Sequence, residues 1–452
     1  MGIKPRLSRF DLTMIVISLV IGMGIFKTPG EVAARAGSAY LFFGAWIFGG
    51  LVSLCGALTF AEIGARYPTA GGFYKVFSYC YHPAVAFMIN WVVVISNAAS
   101  VAAVALVGAE YINPFIMPAG VKASTGIAIT SISVVLVLYV VNFLGIKMSA
   151  RLQNVLTACK VLMILVLCTV VFKNHAVPVA VKVIPHSGSI ITAFGLSLVA
   201  VFFTYEGYEQ TINFGSDSIN AKTNIPKAIF WGMGTIIALY LAINFAYYKA
   251  LTMGGLQGNN QLAAKLAGII FGGIGYKITS IFLFLSVMAY MNVNILSNPR
   301  IYYAMAEDGI LPKIFKKVNP NTQVQEFGMS FFVAAIVIIL FFVNSFSDML
   351  NYVMFFDTIG LSLAALAIFY LRKKTKHLDG TGIYTIKWYP FIPLVFIISY
   401  WFVTVNIFIT FKENPYAALV CLGAYAVGLI IYYASTYKKP VPPSGGYGAQ
   451  YF

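Results

Sequence analysis

The chain has 452 residues, of which 60% are hydrophobic and only 10% charged, and its net charge is +16. Soluble domains carry about 25% charged residues, so this composition, with a mean hydropathy of +0.84, excludes a water-soluble globular protein. Lipid is the solvent that it fits. In a membrane protein the positive charge indicates topology rather than a nucleic acid partner, and we expect no such partner.

Apolar segments long enough to cross a bilayer recur along the whole chain. A helix needs about 20 mostly apolar residues to span the hydrocarbon core. The ninth segment is the weakest, because its strictly apolar part covers only 333–343. The sequence predicts an all-α integral membrane protein with 12 transmembrane helices, over Leu12–Val32, Leu41–Ala61, Ala84–Tyr111, Thr125–Leu144, Asn154–Phe172, Ile190–Phe214, Ala228–Tyr248, Ile278–Ala304, Phe327–Asn344, Val353–Leu371, Phe391–Phe411 and Ala417–Tyr433.

The basic start of the chain also occurs in secretory signal peptides. Here the apolar run that follows Arg9 continues past Gly24 without a small-residue cleavage site, so we interpret it as the first helix. With the N-terminus inside, about two thirds of the 30 Lys and Arg residues fall on the cytoplasmic side, most densely at 372–376. The positive-inside rule therefore predicts a multi-pass protein of the cell (cytoplasmic) membrane with both termini cytoplasmic.

Two predicted spans are interrupted at matching positions. The first contains two glycines within 21–25, and the sixth contains a glycine and two carboxylates within 202–209. Glycine weakens a helix, and in lipid nothing local repairs it. Spans one to five and six to ten then form two halves of opposite orientation. Paired broken helices of this kind indicate the binding site of a transporter.

This pattern predicts one transmembrane transporter domain over 1–439. It would hold inverted repeats at about 10–173 and 190–371, two extra helices at about 388–437, and a disordered cytoplasmic tail over 440–452. The longest loops, Lys173–Ser189 and Thr252–Gly275, are predicted to be extracellular.

The breaks themselves suggest a ligand. Amides near Gly22–Ile25 and the positive end of the following half-helix can hold a carboxylate. Freed carbonyls near Phe203–Glu206 can hold an ammonium, so a zwitterion fits both breaks. The alternative is that Gly22 and Gly24 only allow helices to approach closely. The matching break in the sixth span favours the binding site.

Four charged residues fall inside predicted spans, where a charge costs ~2.5–3.5 kcal/mol or more and is a functional candidate. They are Lys160, Glu206, Glu209 and Asp357.

Several short motifs occur in the order known from one transporter family. They are Gly22-Met23-Gly24-Ile25-Phe26 with Pro29-Gly30, Ala61-Glu62-Ile63 with Tyr67–Tyr74, Asn142–Lys147 with Arg151–Asn154, Asn224–Ile229, and Arg300 with Ala304–Pro312. On these motifs the chain resembles the amino acid–polyamine–organocation superfamily of permeases, especially its branch of L-type amino acid transporters. The resemblance covers residues 9 to about 435. It implies a LeuT-like 5+5 inverted repeat with broken helices 1 and 6.

The resemblance implies roles for residues at both breaks. The substrate carboxylate would be bound by Ile21, Gly22, Met23, Gly24 and Ile25. The ammonium and the outer gate would lie at Phe203, Tyr205 and Gly207. Two residues depart from the family pattern. Met23 replaces a residue that is usually small and would narrow the pocket. Glu206 stands where the family commonly has glycine or an apolar residue, which leaves its role open.

The resemblance also concerns the other buried charges. Lys160 matches a fifth-span lysine of sodium-independent members, and its ammonium would stand in for a coupling cation by bridging the first and eighth spans. Glu209 matches an acidic residue of cationic and polyamine carriers. It is a candidate proton relay or a structural hydrogen-bonding group. Asp357 falls where the family places a polar residue of the pocket.

We therefore expect a secondary active transporter of amino acids, with neutral L-amino acids as first candidates. It would work by alternating access, through sodium-independent exchange or proton-coupled uptake. The alternative from the same fold is a carrier of cationic amino acids or polyamines, which three carboxylates near one pocket would favour. An integral membrane enzyme is a third alternative. The sequence shows no nucleotide loop, clustered metal ligands or catalytic triad, so no cofactor, metal or catalytic residue is expected. The expected partners are the amino acid and the lipid bilayer, with protons as candidate coupling ions and any accessory subunit unspecified.

Overall fold

The computed structural model describes residues 3–118, 120–172, 189–259, 262–341, 346–410 and 415–436, without the side chains of 346–352, 409–410, 415–421 and 435–436. The described part is helical, and its extended contacts are isolated bridges between Leu7 and Ser218 and between Ala70 and Phe214. The α-helices are α1 (Arg9–Val20), α2 (Gly24–Ala36), α3 (Ala39–Arg66), α4 (Gly72–Cys80), α5 (Pro83–Ile116), α6 (Ala123–Phe143), α7 (Ile146–Cys168), α8 (Ile190–Tyr205), α9 (Ala221–Leu256), α10 (Leu262–Phe271), α11 (Gly275–Ser297), α12 (Pro299–Glu307), α13 (Glu326–Leu340), α14 (Phe346–Lys374), α15 (Phe391–Thr410) and α16 (Pro415–Thr436).

The predicted all-α membrane fold is confirmed. Ten helical segments among the described residues are long and apolar enough to cross a bilayer. Two shorter apolar helices, Glu326–Leu340 and Leu422–Ala434, correspond to the ninth and twelfth predicted spans. The first of them has 15 residues, which is about 22 Å of helix against a hydrocarbon core of about 30 Å. The count of twelve therefore stays a prediction.

The two long loops predicted from the sequence have different outcomes. Thr252–Gly275 is not a plain loop, because α9 continues to Leu256 and α10 follows, with Leu262 and Leu266 buried one turn apart. Two predictions, the loop at 173–188 and the tail at 440–452, lie outside the described residues.

Both broken spans sit at the centre of the helix bundle. The first span is formed by α1 and α2, and the sixth by α8 with a 3-10 turn at Tyr208–Asn213. Helix α2 packs along α8, while α1 packs along α9, and α9 also lies against α3. The two breaks are thereby brought side by side.

Charged residues of two sequence motifs, Glu62 and Arg300, form ion pairs on the face of the bundle that holds the N-terminal segment. Glu62 accepts hydrogen bonds from Arg66 and Arg372, with the closest contact to each at 2.7 Å. Arg300 pairs with Asp217 at 2.7 Å, and the Asp217 carbonyl in turn accepts from the amide of Arg6 at 2.7 Å. These contacts join the ends of spans two, six, eight and ten.

Candidate substrate site

The first span is interrupted where the two glycines predicted it. Helix α1 ends at Val20 and α2 begins at Gly24, and Ile21 between them has φ −75° and ψ 86°, outside helical values. The first amides of a helix have no acceptor within that helix, and they carry its positive end. The start of α2 therefore offers donors for an anion.

The sixth span breaks just after Tyr205. Glu206 is extended, with φ −75° and ψ 160°, and Gly207 has φ +118°, where side chains are strained. A Cβ at Gly207 would also lie 2.6 Å from the carbonyl oxygen of Leu19. Both the backbone conformation and the close approach of Leu19 therefore require glycine at position 207. The same approach shows that the second break lies directly against the first span.

Two hydroxyl contacts fasten the breaks together. The Tyr240 hydroxyl lies 3.0 Å from the carbonyl oxygen of Val20 and 3.1 Å from that of Thr204, so one proton serves carbonyls of both broken spans. The hydroxyls of Thr28 and Thr204 are 2.7 Å apart and link α2 to α8. Sequence reasoning missed these three residues, because nothing local distinguishes them from the other tyrosines and threonines of the spans.

A cavity of about 870 Å³, part of it open to solvent, lies between the breaks. It is lined by eight residues that the sequence predicted for the site, namely Gly22, Met23, Gly24, Phe203, Glu206, Gly207, Glu209 and Asp357. The prediction missed six polar lining residues, Asn97, Ser100, Thr204, Gln210, Asn213 and Tyr290. They come from the third, sixth and eighth spans, whose polar positions carry no motif.

Tyr290 closes the cavity over the first break. Its hydroxyl is 2.9 Å from that of Ser100, which links α11 to α5. Its ring lies over Gly22, where an added Cβ would meet the ring at 3.4 Å. The space between the breaks is therefore bounded by an aromatic ring whose hydroxyl is hydrogen-bonded to Ser100.

The three acidic residues of the cavity differ in their hydrogen bonds. Glu209 is buried, and its Oε2 accepts a hydrogen bond from the amide of Gly207 at 2.9 Å. Glu206 has a buried Oε1 with no hydrogen-bond partner in the described part of the chain. Asp357 of α14 is close enough to interact electrostatically with Glu206. Glu209 thus holds the backbone of the break, while the other two carboxylates face the cavity.

Lys160 lies behind the first break rather than in the cavity. Its fully buried ammonium donates to the Ser18 hydroxyl at 3.1 Å, to the Ser18 carbonyl at 3.4 Å and to the Ile21 carbonyl. All these acceptors belong to the first span. The hydrogen bonds of the described residues do not include the predicted bridge from Lys160 to the eighth span. The three N–H groups of the ammonium all donate to acceptors of the first span instead. Asn292 of α11 instead bonds to Gln153 of α7 at 2.7 Å.

Besides Lys160, three other predicted residues do not line the cavity. The Tyr205 side chain points toward the second span, where its hydroxyl is 3.5 Å from the Trp46 carbonyl. Its ring packs on Tyr240 of α9. Its predicted place at the ammonium and outer gate is therefore corrected. Ile21 and Ile25 are fully buried outside the lining, and Ile21 contributes its carbonyl to Lys160.

These features define a membrane transporter, in which two broken helices meet at one pocket. The chain belongs to the family described as Amino acid permease, which matches residues 7–430. The family resemblance drawn from the motifs is thereby confirmed, and the family is one of transporters rather than enzymes.

Named relatives agree with this assignment. The chain is 30% identical to the serine/threonine exchanger SteT of Bacillus subtilis (strain 168), over 97% of the chain and 98% of the relative. It is 27% identical to the cystine/glutamate transporter of Homo sapiens, over 82% of the chain and 75% of the relative. It is also 27% identical to the methylthioribose transporter of Bacillus subtilis (strain 168), over 88% and 87% of the two chains.

Proposed function

We propose that the chain is a secondary carrier of amino acids that works by alternating access around the two breaks. One observation carries the proposal. The amide end of α2 and the carbonyl end of α8 meet at the same cavity, with Gly207 in contact with Leu19. A carboxylate is stabilised at the first end and an ammonium at the second. A single α-amino acid supplies both groups.

The transporting unit is a single domain over 1–439 with repeats at about 10–173 and 190–371. In this mechanism one set of helices rocks against the other around the fixed site. The protein sits in the cell membrane with both termini cytoplasmic. The ion pairs of Glu62 and Arg300 lie on the face that holds the N-terminal segment. They close that face and must open for release on that side.

Neutral L-amino acids moved by exchange are the first candidate substrates. The support is the relative named as a serine/threonine exchanger, which matches nearly the whole chain. Met23 and Phe203 line the cavity with bulky apolar groups. They set the size of the side chain that fits and leave room for a small or medium one.

A cationic amino acid or a diamine is the second candidate, and Glu206 and Asp357 favour it. Neither carboxylate is bonded to a basic side chain in the described part of the chain, and Glu206 keeps a buried, unpaired Oε1. A second positive charge on the substrate would supply the missing partner. With a neutral substrate, the same carboxylates would carry protons, which makes them candidates for proton coupling beside Lys160 and Glu209.

Sodium independence follows from Lys160. A fixed ammonium against the carbonyls of Ser18 and Ile21 uses acceptors that a sodium ion needs and repels a cation nearby. Uptake is therefore expected to be unchanged when choline replaces sodium at fixed pH and membrane potential. Loss of uptake in choline would contradict the proposal that Lys160 takes the place of a sodium ion.

Counterflow in proteoliposomes tests the substrate. Vesicles preloaded with excess unlabelled compound are presented with labelled serine, leucine, ornithine, putrescine or methylthioribose, with and without a proton gradient. Accumulation of an amino acid that is blocked by excess of the same compound supports the proposal. Accumulation of methylthioribose alone would contradict it. Preference for serine or leucine over ornithine or putrescine, or the reverse, decides between the two candidates. Without a proton gradient, Glu206→Gln should reduce only the uptake of the cationic compounds.

A further inference from the structure

A second cavity lies on the lipid-facing side of the bundle, away from the breaks. It is a groove of about 780 Å³ between α3 and the start of α9. Its floor on α3 contains Ala57 and Ala61, whose small side chains give it depth, and Leu54 continues the groove along the helix. The opposite wall includes Trp231, which is 62% exposed. The groove is apolar and open to the bilayer.

The mouth of the groove is basic. Lys222 and Lys227, both exposed and near the start of α9, line it together with Tyr384. Neither lysine has an ion-pair partner in the described part of the chain, although other lysines do, such as Lys75 with Asp308. The groove therefore combines an apolar channel with two unneutralised ammonium groups at one end.

The depth of the groove matches that of a lipid. Ala61 and Leu54 lie five and twelve residues before the end of α3 at Arg66, which is about 7 and 18 Å along the helix. Arg66 is paired with the loop residue Asp379 and so marks the membrane surface. An acyl chain in the groove would run through the half of the hydrocarbon layer next to this surface, with its headgroup at the lysines.

We propose that this groove is a binding site for one anionic phospholipid, whose phosphate binds Lys222 and Lys227 and whose acyl chain lies over Ala57 and Ala61. Charge complementarity selects an anionic headgroup, since the mouth is cationic and unpaired. Basic pockets at membrane-embedded helices bind such headgroups, at about 1 kcal/mol per lysine near the surface. The site lies between the second span and the seventh, and α9 packs against α1. Its occupancy therefore bears on the helices around the breaks, but its existence does not depend on the substrate.

Native mass spectrometry of the detergent-purified chain tests the site. Dioleoylphosphatidylglycerol and dioleoylphosphatidylcholine, which share their acyl chains, are titrated separately. The wild type should bind one phosphatidylglycerol more tightly than any phosphatidylcholine. Lys222→Gln with Lys227→Gln should weaken that binding by roughly 30-fold, the equivalent of about 2 kcal/mol, and leave phosphatidylcholine binding unchanged.

A matched control separates the groove from general surface charge. Lys313→Gln with Lys316→Gln removes the same charge from an exposed hollow whose lining, which includes Glu307 and Lys317, shares no residue with the groove, and phosphatidylglycerol affinity should stay within about twofold of wild type. Ala61→Leu fills the floor and should weaken both lipids. Equal affinity of the wild type for the two lipids, or an equal loss in both lysine pairs, would overturn the proposal. Unchanged affinity in a folded Ala61→Leu variant would overturn the place of the acyl chain.

Discussion

The two breaks leave backbone groups of opposite polarity without helical partners, and buried charges of opposite sign bind these groups. The first break frees carbonyl oxygens, and the ammonium of Lys160 donates to those of Ser18 and Ile21. The sixth break frees an amide, and the carboxylate of Glu209 accepts from Gly207 at 2.9 Å. Lipid offers no partner for such groups. A helix can therefore unwind at membrane depth only where the protein supplies a partner of the right polarity.

The comparison also separates the roles of the buried charges. Lys160 and Glu209 stabilise backbone, each behind or within its break. Glu206 and Asp357 face the cavity without such a duty. Loss of a donor or acceptor that holds a break should therefore impair transport of every substrate, whereas loss of a charge that only faces the cavity should change which substrate is carried or its coupling to protons.

The largest effect is expected from Lys160→Ala. Its loss leaves the carbonyls of Ser18 and Ile21 without their donor, at about 1–3 kcal/mol for each buried group left unpaired. Transport should fall by more than about 100-fold, because the first break no longer holds its shape. Initial uptake rates of equal amounts of reconstituted protein provide the measurement. Lys265→Ala, an exposed lysine on α10, is the control and should transport normally, whereas near-normal transport in Lys160→Ala would show that the break does not need the ammonium.

Gly207→Ala is expected to have the second-largest effect. A side chain there is strained at φ +118° and collides with the Leu19 carbonyl, and such strain costs about 1–3 kcal/mol. Thermal unfolding in detergent should show a clear loss of stability, and transport should be lost. Gly22→Ala is the matched control for stability at the other break, because the nearest atoms to its Cβ would be those of the Tyr290 ring, at 3.4 Å. Equal effects at the two glycines would contradict the contact between the breaks.

Gly24→Leu should abolish substrate binding by a related cause. A Cβ at Gly24 meets Thr204 at 3.1 Å, against α8 rather than in open cavity. The longer side chain therefore forces α2 away from α8 and moves the amides that hold the carboxylate. Scintillation proximity binding of the counterflow substrate is the measurement. Affinity near that of the wild type would refute the assignment of these amides.

Glu209→Gln distinguishes the two roles predicted for Glu209. The amide oxygen of glutamine can still accept from Gly207, so a purely structural role predicts transport within about threefold of wild type. A proton relay predicts loss of proton-driven uptake with exchange retained, since glutamine cannot release a proton. Glu209→Ala is the companion variant and should impair both activities. The pH profiles of exchange and of net uptake in the two variants decide between the roles.

The smallest change is expected from Met23→Ser. Met23 is 1% exposed and lines the cavity, so the shorter side chain enlarges the space beside the first break. Competition by leucine or phenylalanine should improve by roughly threefold to tenfold relative to serine, in line with about 1 kcal/mol for each buried methylene. An unchanged order of competitors would show that Met23 does not set the size of the pocket.

The sequence by itself determined the membrane class, the positions of both breaks and eight of the residues that line the cavity. These features are local. A run of apolar residues is a span wherever it lies, and a glycine at membrane depth weakens its own helix whatever surrounds it. Lys160 and Asp357 stood out for the same reason, since a charge in lipid is conspicuous without knowledge of its partners.

Only the tertiary structure decided which way the side chains face. Span helices are apolar all round, because lipid and protein interior are both apolar, and periodicity then does not mark the inner face. Tyr205 was therefore predicted in the pocket but packs between Trp46 and Tyr240, while Tyr240 and Tyr290 hold the site without any local signal. The partners of Lys160 and the groove beside Lys222 likewise depend on helices that lie far apart in the chain, and their packing alone brings these residues together.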